Sequence, residues 1–148
     1  MEITGNSFSL RGLSGLVKVV SDSAFDPEGE PLSYSEEAEC DVIVESKGFR
    51  VNKVMLLGMP SVSAFLGELR SLADKGEGRA SLKAPSGELS LSFVYEKGVA
   101  RVECAMNDLR DGNENFVSVK YLIEPDYFTA LVRELAKRQR PAADRNPG

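Results

Sequence analysis

The chain contains no histidine, no tryptophan and only two cysteines. Without histidine it lacks the commonest general base, the commonest metal ligand and the partner that activates serine or cysteine nucleophiles. It also lacks the phosphate-binding, dinucleotide-binding, zinc-protease and nucleophile-elbow motifs. We therefore expect a protein that is not an enzyme, with no catalytic residues, no cofactor and no bound metal.

Long apolar runs are absent as well, so we expect no membrane-spanning helix, and the opening residues do not resemble a secretory signal. Cys40 and Cys104 cannot form a disulfide framework, and buried, reduced thiols are the simplest interpretation. These features favour a cytoplasmic protein. The length of 148 residues predicts one domain, which we place at residues 1–137. The proline-containing segment 138–148 is typical of a disordered tail.

Alternation of apolar and polar residues predicts a four-strand antiparallel meander between Ala80 and Ile123. Its clearest strand contains Leu89, Leu91, Phe93 and Tyr95 in one phase. Lys97-Gly98 then provides a tight hairpin.

Two stripes at helical spacing predict helices at about 60–75 and 125–138. The first stripe ends before Gly76, and the second begins at Pro125, which suits a first helical turn. Before the first helix we predict extended segments around Phe8 and Leu10, around Leu16 to Val20, from Asp41 to Ser46 and from Phe49 to Leu57.

Two irregularities interrupt these early strands. Gly12 and Gly15 predict a bend or bulge. In the last strand Val54 and Leu56 fall out of phase with Phe49 and Val51, which indicates burial on both faces or a bulge.

The predicted fold class is therefore α+β: a twisted, mainly antiparallel sheet, a meander that could fold into two layers, with two helices covering it. The residues expected in its core are Phe65, Leu69, Leu91, Phe93, Val102, Val119, Tyr121, Phe128, Leu131 and Leu135.

The segment 22–41 contains eight acidic residues and no lysine or arginine. It could be a solvated loop, an electronegative surface for a basic partner, or a calcium loop, although its spacing does not match an EF-hand. As partner-binding residues we select Asp22, Asp26, Glu28, Glu30, Glu36, Glu37, Glu39 and Asp41. The polar loop 108–114 is the second choice and adds Asp108, Asp111 and Glu114.

Other candidate groups have simpler explanations. Neighbouring acids such as Glu36 and Glu37 are poor candidates for a glycosidase pair, which needs carboxylates on opposing walls of a cleft. Lysines and arginines are scattered, and a net charge of −5 disfavours nucleic acid as a partner. We expect no membrane partner, and the oligomeric state remains open.

Residues 38–136 resemble the small immunity proteins that accompany bacterial polymorphic and wall-associated contact-dependent toxins. The residues that show this are Phe65-Leu66-Gly67-Glu68-Leu69, the segments 78–82 and 87–93, and Gly98-Val99. The resemblance implies a protein that binds and neutralises a cognate toxin without enzymatic activity. Its motifs are structural, so it assigns no functional residue.

Two other classes remain as alternatives. An acidic secretion chaperone that binds an effector segment would fit the size and charge, but such chaperones usually open with an amphipathic helix. An enzyme using carboxylates or tyrosine is the third class.

Overall fold

The computed structural model describes residues 7–21, 37–108 and 115–138. These residues form two four-stranded antiparallel sheets and two helices. The first sheet contains β1 (Ser7–Arg11), β2 (Gly15–Ser21), β3 (Glu37–Ser46) and β4 (Phe49–Gly58) in that order. Helix α1 (Met59–Lys75) follows. The second sheet contains β5 (Gly78–Lys83), β6 (Leu89–Glu96), β7 (Val99–Asp108) and β8 (Asn115–Ile123), and α2 (Pro125–Arg138) ends the described chain.

The predicted α+β class, with mainly antiparallel strands and two helices, is confirmed. The meander is the second sheet, with Leu91 opposite Cys104 and Phe93 opposite Val102. Its hairpin at Lys97-Gly98 has positive φ angles of 51° and 79°, as a tight primed turn requires. The early strands do not extend this sheet. They form a separate one, which gives the second layer.

The ends of the first helix follow local chemistry. Pro60 lies in the first turn of α1, where its missing N–H breaks no helical hydrogen bond. Gly76 adopts the left-handed conformation, and its N–H donates to the Leu72 carbonyl at 2.9 Å. The helix therefore ends where the sequence predicts.

Aromatic side chains join the layers in the core. Phe8 of β1 packs against Phe65 of α1 with ring centroids 5.8 Å apart. Phe128 of α2 stacks on Phe93 at 5.4 Å and contacts Tyr95 at 4.6 Å. Each predicted core residue except Leu135 is buried, and the side chain of Leu135 lies outside the described part.

The structure corrects three details of the early strands. Strand β3 begins at Glu37, four positions before the predicted Asp41. The glycines at 12 and 15 do not bend one strand but connect two, because β1 and β2 form an antiparallel hairpin. Strand β4 keeps an unbroken register with β3, so it has no bulge, and its out-of-phase Val54 and Leu56 are exposed.

The two thiols are buried and unbridged, as predicted. Neither described helix is both long and apolar enough to cross a membrane. The predicted tail lies outside the described residues beyond Arg138.

The two sheets meet at Tyr121 of β8. Its hydroxyl donates a hydrogen bond to the Leu10 carbonyl of β1, and its ring lies over Gly12 and Gly15. A Cβ atom at Gly15 would be 2.5 Å from the ring, and one at Gly12 would be 2.4 Å from the Leu122 carbonyl oxygen. Next to this contact, the Leu13 N–H donates to that same carbonyl at 3.0 Å. The glycines are therefore needed for the close approach of the sheets.

We predict that Leu91→Ala or Leu131→Ala lowers the free energy of unfolding by about 2 to 5 kcal/mol, because each truncation leaves a cavity in a packed core. Both side chains are 0% exposed. Leu122→Ala is the matched control, since that side chain is 46% exposed and should change stability by less than about 1 kcal/mol. Denaturant melts measure all three. A small loss for Leu91 would contradict the packing described here.

We also predict that Gly15→Ala destabilises the protein by about 1 to 3 kcal/mol, because the added methyl group forces the Tyr121 ring away from the hairpin. Ser14→Ala, one position earlier, should change the free energy of unfolding by less than about 0.5 kcal/mol. Equal melting temperatures for the two variants would mean that the ring contact does not constrain the hairpin.

Candidate protein-binding site

The predicted acidic residues of the segment 22–41 that the structure describes lie in one line on β3. Glu37, Glu39 and Asp41 alternate with the buried residues Ala38, Cys40 and Val42. Because successive side chains of a strand point to opposite faces, all three carboxylates are on the outer face of the first sheet, away from the core. Glu37 and Glu39 are exposed, and Asp41 is half-buried.

The remaining predicted residues cannot be added to this line. Asp22, Asp26, Glu28, Glu30 and Glu36 lie outside the described residues, as do Asp111 and Glu114. Asp108 is the last residue of β7, and its side chain is not described.

Apolar side chains of β4 lie directly beside these acids. Leu56 is opposite Glu39, and Val54 is opposite Asp41. Their exposed fractions are 53% and 56%, high values for aliphatic side chains in a long strand. Together Glu37, Glu39, Asp41, Val54 and Leu56 form a surface that we name the acidic–apolar face. The sequence contained one signal of it, the phase change in β4, but pattern alone could not separate exposure from burial.

The Asp41 carboxylate can accept more hydrogen bonds than it does. Its Oδ2 accepts one long hydrogen bond from the Asn52 side-chain amide, at 3.5 Å. Its Oδ1 is buried and has no partner among the described residues. An ionised carboxylate can accept several hydrogen bonds, so an added donor would lower the energy of this site.

Ion pairs join acidic and basic residues at other described parts of the outer surface. At the hairpin end of β4, Arg50 Nε lies 3.2 Å from Glu45 Oε1. On the outer face of the second sheet, Glu103 pairs with Arg101 at 3.3 Å and with Lys120 at 3.8 Å. Among the described strands, the positions opposite Glu39 and Asp41 are apolar. Glu39 and Asp41 therefore have no basic residue directly opposite them in the described strands, while Lys18 of β2 lies on the same face opposite Ile43.

A second surface feature is a shallow groove of about 450 Å³ at the junction of the sheets. Its lining includes Leu13, Val99, Leu122 and Pro125. The first three are at least 46% exposed. Glu124 and Asp126 also line this groove and are exposed, so it too combines apolar and acidic side chains.

The buried Cys104 thiol and Tyr121 hydroxyl are poorly suited to act as nucleophiles. Burial raises the pKa of the Cys104 thiol to about 12, so the thiol stays protonated near neutral pH. Burial also raises the pKa of Tyr121 well above its usual range, more than the Val17 N–H hydrogen bond lowers it. Among the described residues, no group of three or more acids or cysteines is placed to hold a metal ion.

Comparison with known proteins identifies the arrangement of strands and helices. No family model matches the chain, and no curated protein matches it. Among solved structures, the plant transcriptional regulator PBF-2 is similar over 94% of this chain and 82% of its own, with a TM-score of 0.53 and 12% identity. MRP1/MRP2 of Trypanosoma bruciei matches over 89% and 82%, with a TM-score of 0.47 and 10% identity. At these identities the likeness to PBF-2 shows the fold alone.

Proposed function

We propose that the protein is a non-enzymatic binding protein, an immunity-type inhibitor that neutralises a basic bacterial toxin domain in the cytoplasm. The observation that supports this proposal is the acidic–apolar face. Folding does not require three carboxylates in one line, and their mutual repulsion opposes it. A surface of this kind is useful when a partner of opposite charge covers it.

The charges and the apolar side chains would have different tasks in such a complex. Carboxylates steer a basic partner towards the face and occupy positions that phosphates of a nucleic acid substrate would otherwise take. Val54 and Leu56 provide apolar surface that a partner would bury. Each Å² of apolar surface removed from water stabilises the complex by about 25 cal/mol. Aliphatic residues surrounded by polar groups are a common composition for a protein interface.

The role of the fold neighbour PBF-2 is not transferred to this chain. A protein that follows a nucleic acid backbone needs lysines and arginines available for phosphates. Here Arg101 and Lys120 share the carboxylate of Glu103, and the first sheet presents its acidic row. The net charge of −5 acts in the same direction.

The proposal is tested by co-expressing the protein with the product of the gene upstream of its own. We expect a stable complex with a basic toxin domain, and restored growth of cells that produce that domain. A control co-expression with an unrelated basic domain of similar size should give neither result. If the upstream product neither binds nor harms cells, the immunity function is wrong.

We predict that replacing Glu37 and Glu39 with glutamine slows association with the toxin domain about three- to tenfold at low salt, because electrostatic steering weakens. The melting temperature should hardly change, since both residues are exposed. The matched control is Glu77→Gln with Glu96→Gln, which removes the same charge from exposed positions on or next to the second sheet. Stopped-flow association rates measure both.

Salt provides a second readout of the same variants. Near physiological ionic strength the Debye length is about 8 Å, so added salt should slow association of the unmodified protein more than that of the double variant. Equal rates and equal salt dependence for the two double variants would place the binding face elsewhere.

A further inference from the structure

The four edges of the two sheets differ in how their outward backbone groups are bonded. At the β1 edge, the Tyr127 hydroxyl of α2 accepts a hydrogen bond from the Arg11 N–H at 2.9 Å and donates to the Ser9 carbonyl at 3.2 Å. At the β5 edge, α1 packs along the strand, and the Ser81 N–H donates to Glu68 Oε1 at 3.5 Å. At the β8 edge, the Leu122 carbonyl accepts from Leu13. Each of these edges has at least one partner.

The outward groups of β4 follow from the hairpin that joins it to β3. Ser46 and Phe49 flank the two-residue turn Lys47-Gly48 and are therefore a hydrogen-bonded pair. Every second residue of β4 then bonds to β3, and the residues between them direct N–H and C=O away from the sheet. These outward residues are Arg50, Asn52, Val54 and Leu56. In the described structure their backbone groups bond to no other backbone group.

The usual protection of an edge strand is weak along this part of β4. Natural edges commonly carry outward lysine, proline, a bulge or an inward-pointing charged residue. From Asn52 to Leu56 the outward side chains are uncharged, and the register is continuous. Of these four devices this stretch has one, the inward-pointing Lys53, and its charge is paired with Glu88 at 3.1 Å. That ion pair ties β4 to the turn before β6 and holds the open edge in place.

From these observations we propose that β4, from Asn52 to Leu56, binds an extended basic segment of the partner as a fifth strand of the first sheet. The proposal rests on the proposed function and specifies its binding mode. Strand addition would satisfy the outward backbone groups of β4, and side chains at alternate positions of the added strand would select the sequence.

The acidic–apolar face determines the chemistry of the added strand. Neighbouring strands lie about 4.8 Å apart, so outward side chains of the added strand would lie beside Val54 and Leu56. Lysine and arginine bury their aliphatic stems on apolar surface and extend their charged heads beyond it. Such heads would reach across β4 towards Glu39 and Asp41 on β3. This explains why exposed aliphatic residues lie between the open edge and the acids.

The alternative occupant of an open edge is a second copy of the chain. Pairing β4 with β4 would place two acidic rows on one continuous sheet, with no basic row to offset them. A strand with alternating lysine or arginine would neutralise the row instead. Charge complementarity therefore favours a basic partner strand.

The test uses a synthetic probe, a capped peptide of about ten residues that alternates lysine and threonine, long enough for one strand. Amide hydrogen exchange by NMR is measured with and without the peptide. We expect exchange at Asn52, Val54 and Leu56 to slow at least about tenfold, since their N–H groups become hydrogen-bonded. The outward amides of Ser118 and Lys120 on β8 are internal controls and should not change. A peptide with glutamate in place of lysine should not protect any of them.

Two further changes separate strand addition from simple charge attraction. Val54→Pro removes an outward N–H without removing a bond to β3, and it should weaken peptide binding at least about tenfold. Ser118→Pro makes the same change on β8 and should leave binding unchanged. Because a proline variant can fail to fold, the unmodified protein is also titrated with two peptides that are N-methylated at alternate positions. Methyl groups on the peptide amides that face β4 should abolish binding, and methyl groups on the amides that face away should not.

The outcomes distinguish the two proposals. If the peptide binds without slowing exchange at Val54 and Leu56, or if both N-methylated peptides bind equally, β4 is not a strand-addition site. The absence of peptide binding would overturn it as well. In each case a complex with the upstream toxin domain would leave the proposed function intact, whereas loss of that complex alone would reject the function.

Discussion

The contact between Tyr121 and the β1–β2 hairpin determines how the two sheets are assembled. The Tyr121 hydroxyl bonds to the backbone of the first sheet, and its ring occupies the space that side chains at residues 12 and 15 would otherwise fill. Because each sheet has one apolar face, neither is stable until the two faces and the helices close a common core. With the inner face held in this way, Glu39, Val54 and Leu56 are exposed on the outer face of the first sheet.

Local patterns predict the second half of the molecule better than the first. In β6 and β7 the apolar residues alternate without interruption, and α1 and α2 have regular stripes with clear end signals, so their bounds follow from sequence. The early strands also pair with their neighbours in sequence, and only the connection from β2 to β3, residues 22–36, is long. Alternation at Ala38 and Cys40 continues β3 back to Glu37, but the dominant signal there is charge, which favours a loop. Pairing with β4 outweighs that preference.

The candidate site was also only partly predictable: composition indicates its charge, whereas its geometry depends on the strand register. The excess of acids before residue 42 is visible in the sequence and indicates an electronegative surface. That Glu39 lies opposite Leu56, and Asp41 opposite Val54, follows only from the register of the β3–β4 hairpin. Periodicity marked the two aliphatic residues as out of phase. It could not show that they are exposed, because exposure depends on what covers the sheet.

An open edge strand beside exposed aliphatic side chains is a hazard, because it can pair with any extended chain, including another copy of itself. Three of the four edges here are bonded by the Tyr127 hydroxyl, by helix α1 or by a backbone amide. At the fourth, the acidic row of β3 has a double effect. A second copy would offer this row no opposite charge, whereas a strand that carries lysine or arginine would attract it. In the proposed binding mode this arrangement of charge would favour the basic partner over a second copy, at an edge whose one common protection is the inward-pointing Lys53.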